Sequence, residues 1–457
     1  MKTFLIFCLS LSICLFISSS FAASFIEGEL PRRADLGFSP VIEDQQLVIR
    51  RVKSGSLAEK SGVKDGDVIV GMTAKGQTWS FANSNAEQLL DAQTCLWRVP
   101  GGKPLKLTIK RKGKTKVLSW VPDKQPLEKI EKVDSYYDSL VTRGGSHLRT
   151  IVSVPEKKKQ KLPAIFFVQW VSCGSIEYHP RSASRELFAQ LLHSSGRALV
   201  RVDRAASGDS QGPACHQLGY DRELQDYVDA FKKLSLHPMV DKQRIIIWGS
   251  SLGSTLAPLI AVQLQKEGVP VEGVMIQGGG AVTYLERMLA FDRIYLERRT
   301  QVAPESIHQQ MLDRHQFQYE YLVMGKHPDD IASQSPAMKA VRNDILGMNQ
   351  STHYGRPYLW HQQAAKHNFL AAWHQLEVPV LVVFNEFDQF ESEHGHRMIV
   401  DMINRWRPGS ATFVKQTGIG HSQYRYSSIE QAYQFKEGSK ATSSFSGHLS
   451  QWLKRFD

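Results

Sequence analysis

Five cysteines in 457 residues are too few for a disulfide framework, so stability has to come from a packed core. A 42% hydrophobic fraction is enough to supply one. No long apolar run follows residue 23, which excludes a polytopic membrane protein. Glycine (33) and proline (19) are at ordinary levels, which excludes collagen-like and low-complexity chains. H-E-x-x-H, C-x-x-C and Gly-rich phosphate loops are absent, and His361, His367 and His374 lack metal-ligand spacing. No metal and no cofactor are therefore expected. Lys and Arg outnumber Asp and Glu by 56 to 45, yet no nucleic-acid-reading motif accompanies the excess.

What is present begins at the N-terminus. Residues 1–23 read as a secretory signal, with Lys2 as the positive region and an apolar stretch over 4–17. Small residues from Ser18 to Ala23 then allow cleavage after Ala22 or Ala23. The stretch is too short to span a bilayer, so the mature chain is expected in the periplasm or secreted, with no stable span. Cleavage removes Lys2 and lowers the net charge from +11 to +10. It also removes Cys8 and Cys14, leaving Cys95, Cys173 and Cys215, which allow one disulfide and one thiol. The lysine clusters at 103–116 and 157–161 read as a solvated strand face and a solvated loop.

Two compositional blocks follow. The first, 27–121, has short β-branched runs and one helix over 86–96, where Cys95 is expected to be buried. Val48-Ile49-Arg50-Arg51-Val52 is a strand, a glycine-ended helical turn follows over 55–62, and Asp65-Gly66-Asp67 turns into the next strand. This order resembles a PDZ domain, particularly those of secreted bacterial proteins, and 55–71 is its most specific part. The resemblance makes Leu36, Gly37 and Phe38 a peptide-binding loop for a peptide or protein C-terminus. The alternative is a PDZ fold kept for packing or for regulating its neighbour.

Residues 122–131 read as a polar linker. From 132 to 457, apolar strand cores alternate with helical patterns. The strand cores are 164–168, 198–202, 244–248, 273–277, 378–384 and 411–415, and the helices are 183–193, 221–234, 252–265 and 394–405. That alternation predicts an α/β fold, a mostly parallel sheet covered on both faces. An aromatic, His-rich helical interval over 282–375 breaks the rhythm and reads as an inserted cap.

The chemistry centres on Gly249-Ser250-Ser251-Leu252-Gly253. The five letters matter because a buried-strand run, Arg244-Ile245-Ile246-Ile247-Trp248, leads into them and a small-residue helix leads out. A nucleophile elbow needs that setting, which holds a serine at the tip of a strand-to-helix turn. The serine also needs a base, and the base needs a carboxylate to fix its tautomer. After the strand at 378–384 come Asn385-Glu386-Phe387-Asp388, with Asp388 the better acid and Glu386 the runner-up. After the last strand comes Gly418-Ile419-Gly420-His421.

These residues resemble the alpha/beta-hydrolase superfamily over 132–457, with Gly208-Asp209-Ser210-Gln211-Gly212 and His353-Tyr354-Gly355-Arg356 as further points of likeness. The resemblance assigns Ser251 as nucleophile, Asp388 as acid and His421 as base. It assigns the oxyanion hole to the amides of Leu252 and Val171, the latter in Gln169-Trp170-Val171, where Trp170 replaces a glycine. Cys173 and Cys215 follow strand ends on the same side and are expected either as a disulfide or as two thiols. The expected protein is an exported serine hydrolase acting on an acyl ester or amide. A serine peptidase of the prolyl-oligopeptidase type and a non-catalytic PDZ scaffold are the rivals.

Overall fold

The computed structural model describes residues 30–179, 182–298, 303–434 and 438–456. The signal segment and the first residues of the 27–121 block lie outside them. The N-terminal region is a six-stranded antiparallel sheet. Its strands are β1 (Ser39–Glu43), β2 (Gln46–Arg50), β3 (Val68–Ala74), β4 (Gln77–Ser80), β5 (Leu105–Arg111) and β6 (Lys114–Trp120), with helices α1 (Leu57–Lys60) and α2 (Ala86–Trp97). A capping box between Asn85 and Gln88 starts α2. Alternation with a period of two turns Leu105, Leu107 and Ile109 of β5 into this region's own core, while Lys106 and Lys110 face water. Cys95 is half-buried rather than buried, because its turn of α2 lies beside Leu96, which takes the inward position.

The second region is an eight-stranded mixed sheet. In chain order its elements are β7 (Val133–Val141), β8 (His147–Pro155), β9 (Leu162–Val168), α3 (Ala183–Ser195), β10 (Ala198–Val202), α4 (Tyr220–Leu234), β11 (Val240–Ser250), α5 (Gly253–Lys266) and β12 (Gly273–Gln277). The cap follows, with α6 (Tyr284–Arg298), α7 (Pro304–Gln318), α8 (Pro328–Ala332), α9 (Pro336–Asp344), the short pair β13 (Thr352–His353) and β14 (Arg356–Pro357), α10 (Tyr358–Lys366) and α11 (Phe369–Gln375). The sheet resumes with β15 (Val380–Asn385), α12 (Glu393–Trp406) and β16 (Ala411–Gln416), and the chain closes with α13 (Ile429–Tyr433) and α14 (Thr442–Leu453).

Spatial order is β7-β8-β10-β9-β11-β12-β15-β16, and β8 alone runs against the others. The central strands β9 and β12 and the second half of β11 are largely apolar because both of their faces are covered. In β9, Ala164, Phe166 and Val168 enter one core while Ile165 and Phe167 enter the other. Ile245 and Ile247 of β11 likewise oppose Ile246 and Trp248. Helices α4, α5, α11 and α12 cover the first face, and α3 and α14 the second. Among the described residues no helix is long and apolar enough to cross a membrane.

Residues 122–131 connect the two sheets; most of them are exposed, but Pro122 and Ile130 are buried and one acidic side chain turns inward. Glu128 is inserted beneath β8 and β10, where its carboxylate accepts from Arg201 at 2.5 and 2.9 Å and from the Tyr178 amide at 2.6 Å. Neither side chain of the pair is exposed. A second ionic joint lies nearby. Arg32 reaches Glu177 at 2.6 Å and Asp209 at 2.7 Å, and Arg33 reaches Glu177 at 2.7 Å.

Burial opposes the charge on Glu128, but Arg201 outweighs it and holds the carboxyl below its ordinary value of 4.5. Its stabilisation is therefore present above pH 4.5 and is lost as the pH falls through the lower folded value. Glu128→Ala would leave Arg201 buried without its counter-charge. The expected loss is about 3–5 kcal/mol in urea unfolding at neutral pH, narrowing below pH 4.5. An unchanged midpoint would show that the pair contributes nothing.

Candidate active site

The turn between β11 and α5 puts Ser251 at φ 51°, a left-handed conformation that a side-chain-bearing residue rarely adopts. Its amide donates to the Gln277 carbonyl at 2.8 Å on the neighbouring strand, which holds the turn in place. The flanking glycines are required by close backbone approach. A Cβ on Gly249 would stand 2.5 Å from the Gly253 carbonyl oxygen, and one on Gly253 would stand 2.2 Å from that of Val168. The first turn of α5 follows directly, so its free N–H groups and dipole favour negative charge beside Ser251.

His421 and Asp388 arrive from the loops after β16 and β15. His421 Nε2 stands 2.9 Å from Ser251 Oγ, and His421 Nδ1 stands 2.8 Å from Asp388 Oδ2. The other Asp388 oxygen accepts from the amides of Phe390 and Glu391, both at 2.9 Å, so the carboxylate cannot swing away. Gln389 receives the His421 amide at 3.0 Å, and Asn385 donates to the Gly420 carbonyl at 2.9 Å. Glu386, the alternative acid, instead accepts from the Gly418 amide at 2.8 Å.

Between β9 and α3, the loop carrying Gln169, Trp170 and Val171 lines the same cavity as Ser251 and Leu252. Among the described residues, the amides of Val171 and Leu252 have no acceptor. Cys173 and Cys215 are joined by a disulfide with Cα atoms 5.8 Å apart, tying this loop to the one after β10. The cavity, about 240 Å³, is roofed by Tyr284, Arg287, Met288 and Phe291 of α6. Arg287 is bound to Glu391 inside it, and Tyr284 pairs with His361 at 2.7 Å. These cap residues carry no local sequence signature; only the register of α6 reveals which of them point inward.

In the N-terminal sheet, Leu36 and Phe38 are core residues, and Gly37 has φ 71°. The Gly37 amide is taken by Asp35 Oδ1 at 3.1 Å. Among the described residues, the Leu36 and Phe38 amides have no acceptor. No group of three or more His, Cys, Asp or Glu among the described residues is arranged to hold a metal ion.

The arrangement can move a proton from a serine hydroxyl to an imidazole whose ring is fixed from behind by a carboxylate, beside two unclaimed N–H donors. Burial disfavours the protonated ring, but the Asp388 carboxylate more than offsets this and raises the His421 pKa above its ordinary value of 6.5. A base works only when neutral, so any turnover should be lost as the pH falls through that raised value. The acid limb of kcat/KM is expected above pH 6.5, and Asp388→Asn should both depress the rate and shift that limb downward. A limb below 6.5 in the parent protein would count against this pairing.

No family model matches the chain. A stretch of 76 residues, 17% of the chain, is 37% identical to the polyketide transferase ATR5 of Stachybotrys chlorohalonatus and spans a quarter of that protein's length. Among solved structures, an esterase of the archaeon Pyrobaculum calidifontis aligns with a TM-score of 0.42 at 17% identity, covering 71% of this chain and 85% of that one. An esterase of Rhizomucor miehei aligns with a TM-score of 0.42 at 13% identity, covering 72% and 87%. An esterase of Pyrococcus furiosus gives the same score at 12% identity, covering 72% and 96%.

Proposed function

We propose that the protein is an exported serine hydrolase acting on acyl esters through an acyl-enzyme. The carrying observation is the continuous chain of short contacts from Ser251 Oγ through His421 to Asp388. In this scheme His421 takes the hydroxyl proton as Ser251 attacks the acyl carbonyl. The amides of Leu252 and Val171 receive the oxyanion, and His421 then protonates the leaving group and activates water.

Ester is favoured over peptide by the cavity. It is small, its wall is mostly apolar with Trp170, Val171, Met288, Phe291 and Phe390 among its lining, and the one carboxylate among its described lining residues, Glu391, is already paired with Arg287. Little is left to fix a peptide amine or a run of backbone. Export is supported by the N-terminal signal pattern and by the Cys173–Cys215 bond, which suits an oxidising compartment. For the N-terminal region we favour a PDZ-like role in which the free amides of Leu36 and Phe38 meet a peptide end at edge strand β1. Asp35 lies close enough to repel a second carboxylate, so Asp35→Asn should tighten any such binding.

A fluorophosphonate probe should label the folded protein on Ser251, and Ser251→Ala should abolish labelling. On a panel of nitrophenyl esters and peptide anilides, short acyl esters should be turned over fastest and anilides slowest. Labelling that survives in Ser251→Ala would sink the assignment, and preference for anilides would move it to a peptidase. Mass spectrometry of the exported chain should place the mature N-terminus at Ala23 or Ser24.

A further inference from the structure

Behind the Gln169–Val171 loop lies a buried cluster that the proton-transfer scheme does not use. Arg204, just past the end of β10, donates to a fan of backbone carbonyls: Trp170 at 2.8 Å, Gln169 and Val171 both at 3.3 Å, and Ser172. Arg356, from the hairpin in the cap, adds a bond to the Val171 carbonyl at 3.2 Å. Glu223 of α4 clamps both guanidiniums, Arg204 at 3.1 Å and Arg356 at 3.0 Å, and takes the Trp360 indole N–H at 2.9 Å. All three charged side chains are at most 3% exposed. Two positive charges thus share one negative one, and the surplus is turned onto the oxygen ends of consecutive peptide groups.

A trans peptide is planar, with its C=O and N–H pointing in opposite directions. The chain has no cis bond among its described residues. The Trp170 carbonyl and the Val171 N–H belong to one such plane. Drawing that oxygen back onto Arg204 therefore turns the Val171 N–H forward, away from the buried cluster, and a positive charge at the oxygen end strengthens the donor at the other. In a loop where Trp170 occupies the place of a glycine, the backbone path is set by these side-chain bonds and by the disulfide at Cys173.

We propose that Arg204, clamped by Glu223 and assisted by Arg356, is the positioning residue of the second oxyanion donor, fixing the Trp170–Val171 peptide plane so that its N–H faces the acyl carbonyl attacked by Ser251. This rests on the serine-hydrolase reading above. It adds to that reading a device that acts in the transition state and not on ground-state binding.

The test compares Arg204→Met and Arg204→Lys with the parent protein, each normalised by fluorophosphonate titration of Ser251. A lysine keeps the charge opposite Glu223 but, as a single point, cannot hold a fan of carbonyls. Losing an oxyanion donor outright typically costs about 10²–10³ in kcat, so a loosened one should cost at least about tenfold per titrated serine in either variant. KM should stay within about threefold, as expected for an interaction made only in the transition state. A trifluoromethyl ketone matched to the best ester forms a tetrahedral adduct with the same oxyanion, and its affinity should fall in step with kcat. A purely structural Arg204 would lower the titratable fraction or the Tm while leaving kcat per titrated serine and ketone affinity intact, which would overturn the proposal. Should Arg204→Met not fold, Arg204→Lys alone decides on the same criteria. A parent protein that takes no label and hydrolyses nothing would sink the hydrolase reading beneath it, whereas an active parent with unaltered Arg204 variants would sink this inference alone.

Discussion

A single left-handed residue governs the layout. Ser251 holds φ at 51° because β11 must end, the chain must reverse and α5 must begin within a few residues. The serine side chain is thereby thrown out above the strand ends while the backbone on either side packs against itself. The flanking glycines permit that packing, and the Gln277 carbonyl locks it from the next strand. The rest of the site is arranged around this fixed point: His421 and Asp388 on loops from the neighbouring strands, the Gln169–Val171 loop from the other side, and α6 overhead.

The loops that surround Ser251 are held by buried ion pairs as well as by aromatic packing. Arg201–Glu128 fastens the inter-sheet segment, Arg204–Glu223–Arg356 fastens the loop beside Ser251, and Arg287–Glu391 fastens α6 to the loop carrying Asp388. Such pairs lose much of their attraction to desolvation, so their net effect on stability is small compared with the penalty for breaking them. What they supply is geometry. A guanidinium fork admits few orientations of its partners, whereas an apolar contact tolerates sliding. A loop that must present a backbone amide at one angle is better held by the former.

Much of the architecture was legible in the chain. Runs such as Ile245–Trp248 are apolar at every position because strands covered on both faces have no polar side, and 198–202 and 273–277 match β10 and β12 residue for residue. The tight strand-to-helix turn at Ser251 was legible because steric demand writes glycine at fixed offsets from it. The β7–β8 hairpin was not, since β7 lies at the sheet edge and its mixture of Tyr, Ser and Asp carries no clean period. The role of Glu128 was also hidden. It sits among polar residues that read as a linker, and its partner lies 73 positions away. Arg204 was invisible for the same reason, since long-range ion pairs leave no local pattern; Arg356 stood in the 353–356 motif, but its pairing with Glu223 did not show.

The disulfide has a consequence beyond anchoring one loop. Cys215 is followed by His216, which stands 2.9 Å from Asp91 on α2, and the Gly212 carbonyl three residues before Cys215 accepts from Arg98 at 3.3 Å. Cys173, at the other end of the bond, is two residues from Val171. The N-terminal region therefore touches, through α2 and Arg98, a segment that is covalently spliced to the loop beside Ser251. Two loops 42 positions apart in the chain thus become one covalently joined unit, with α2 against one end of it and the wall of the Ser251 cavity at the other.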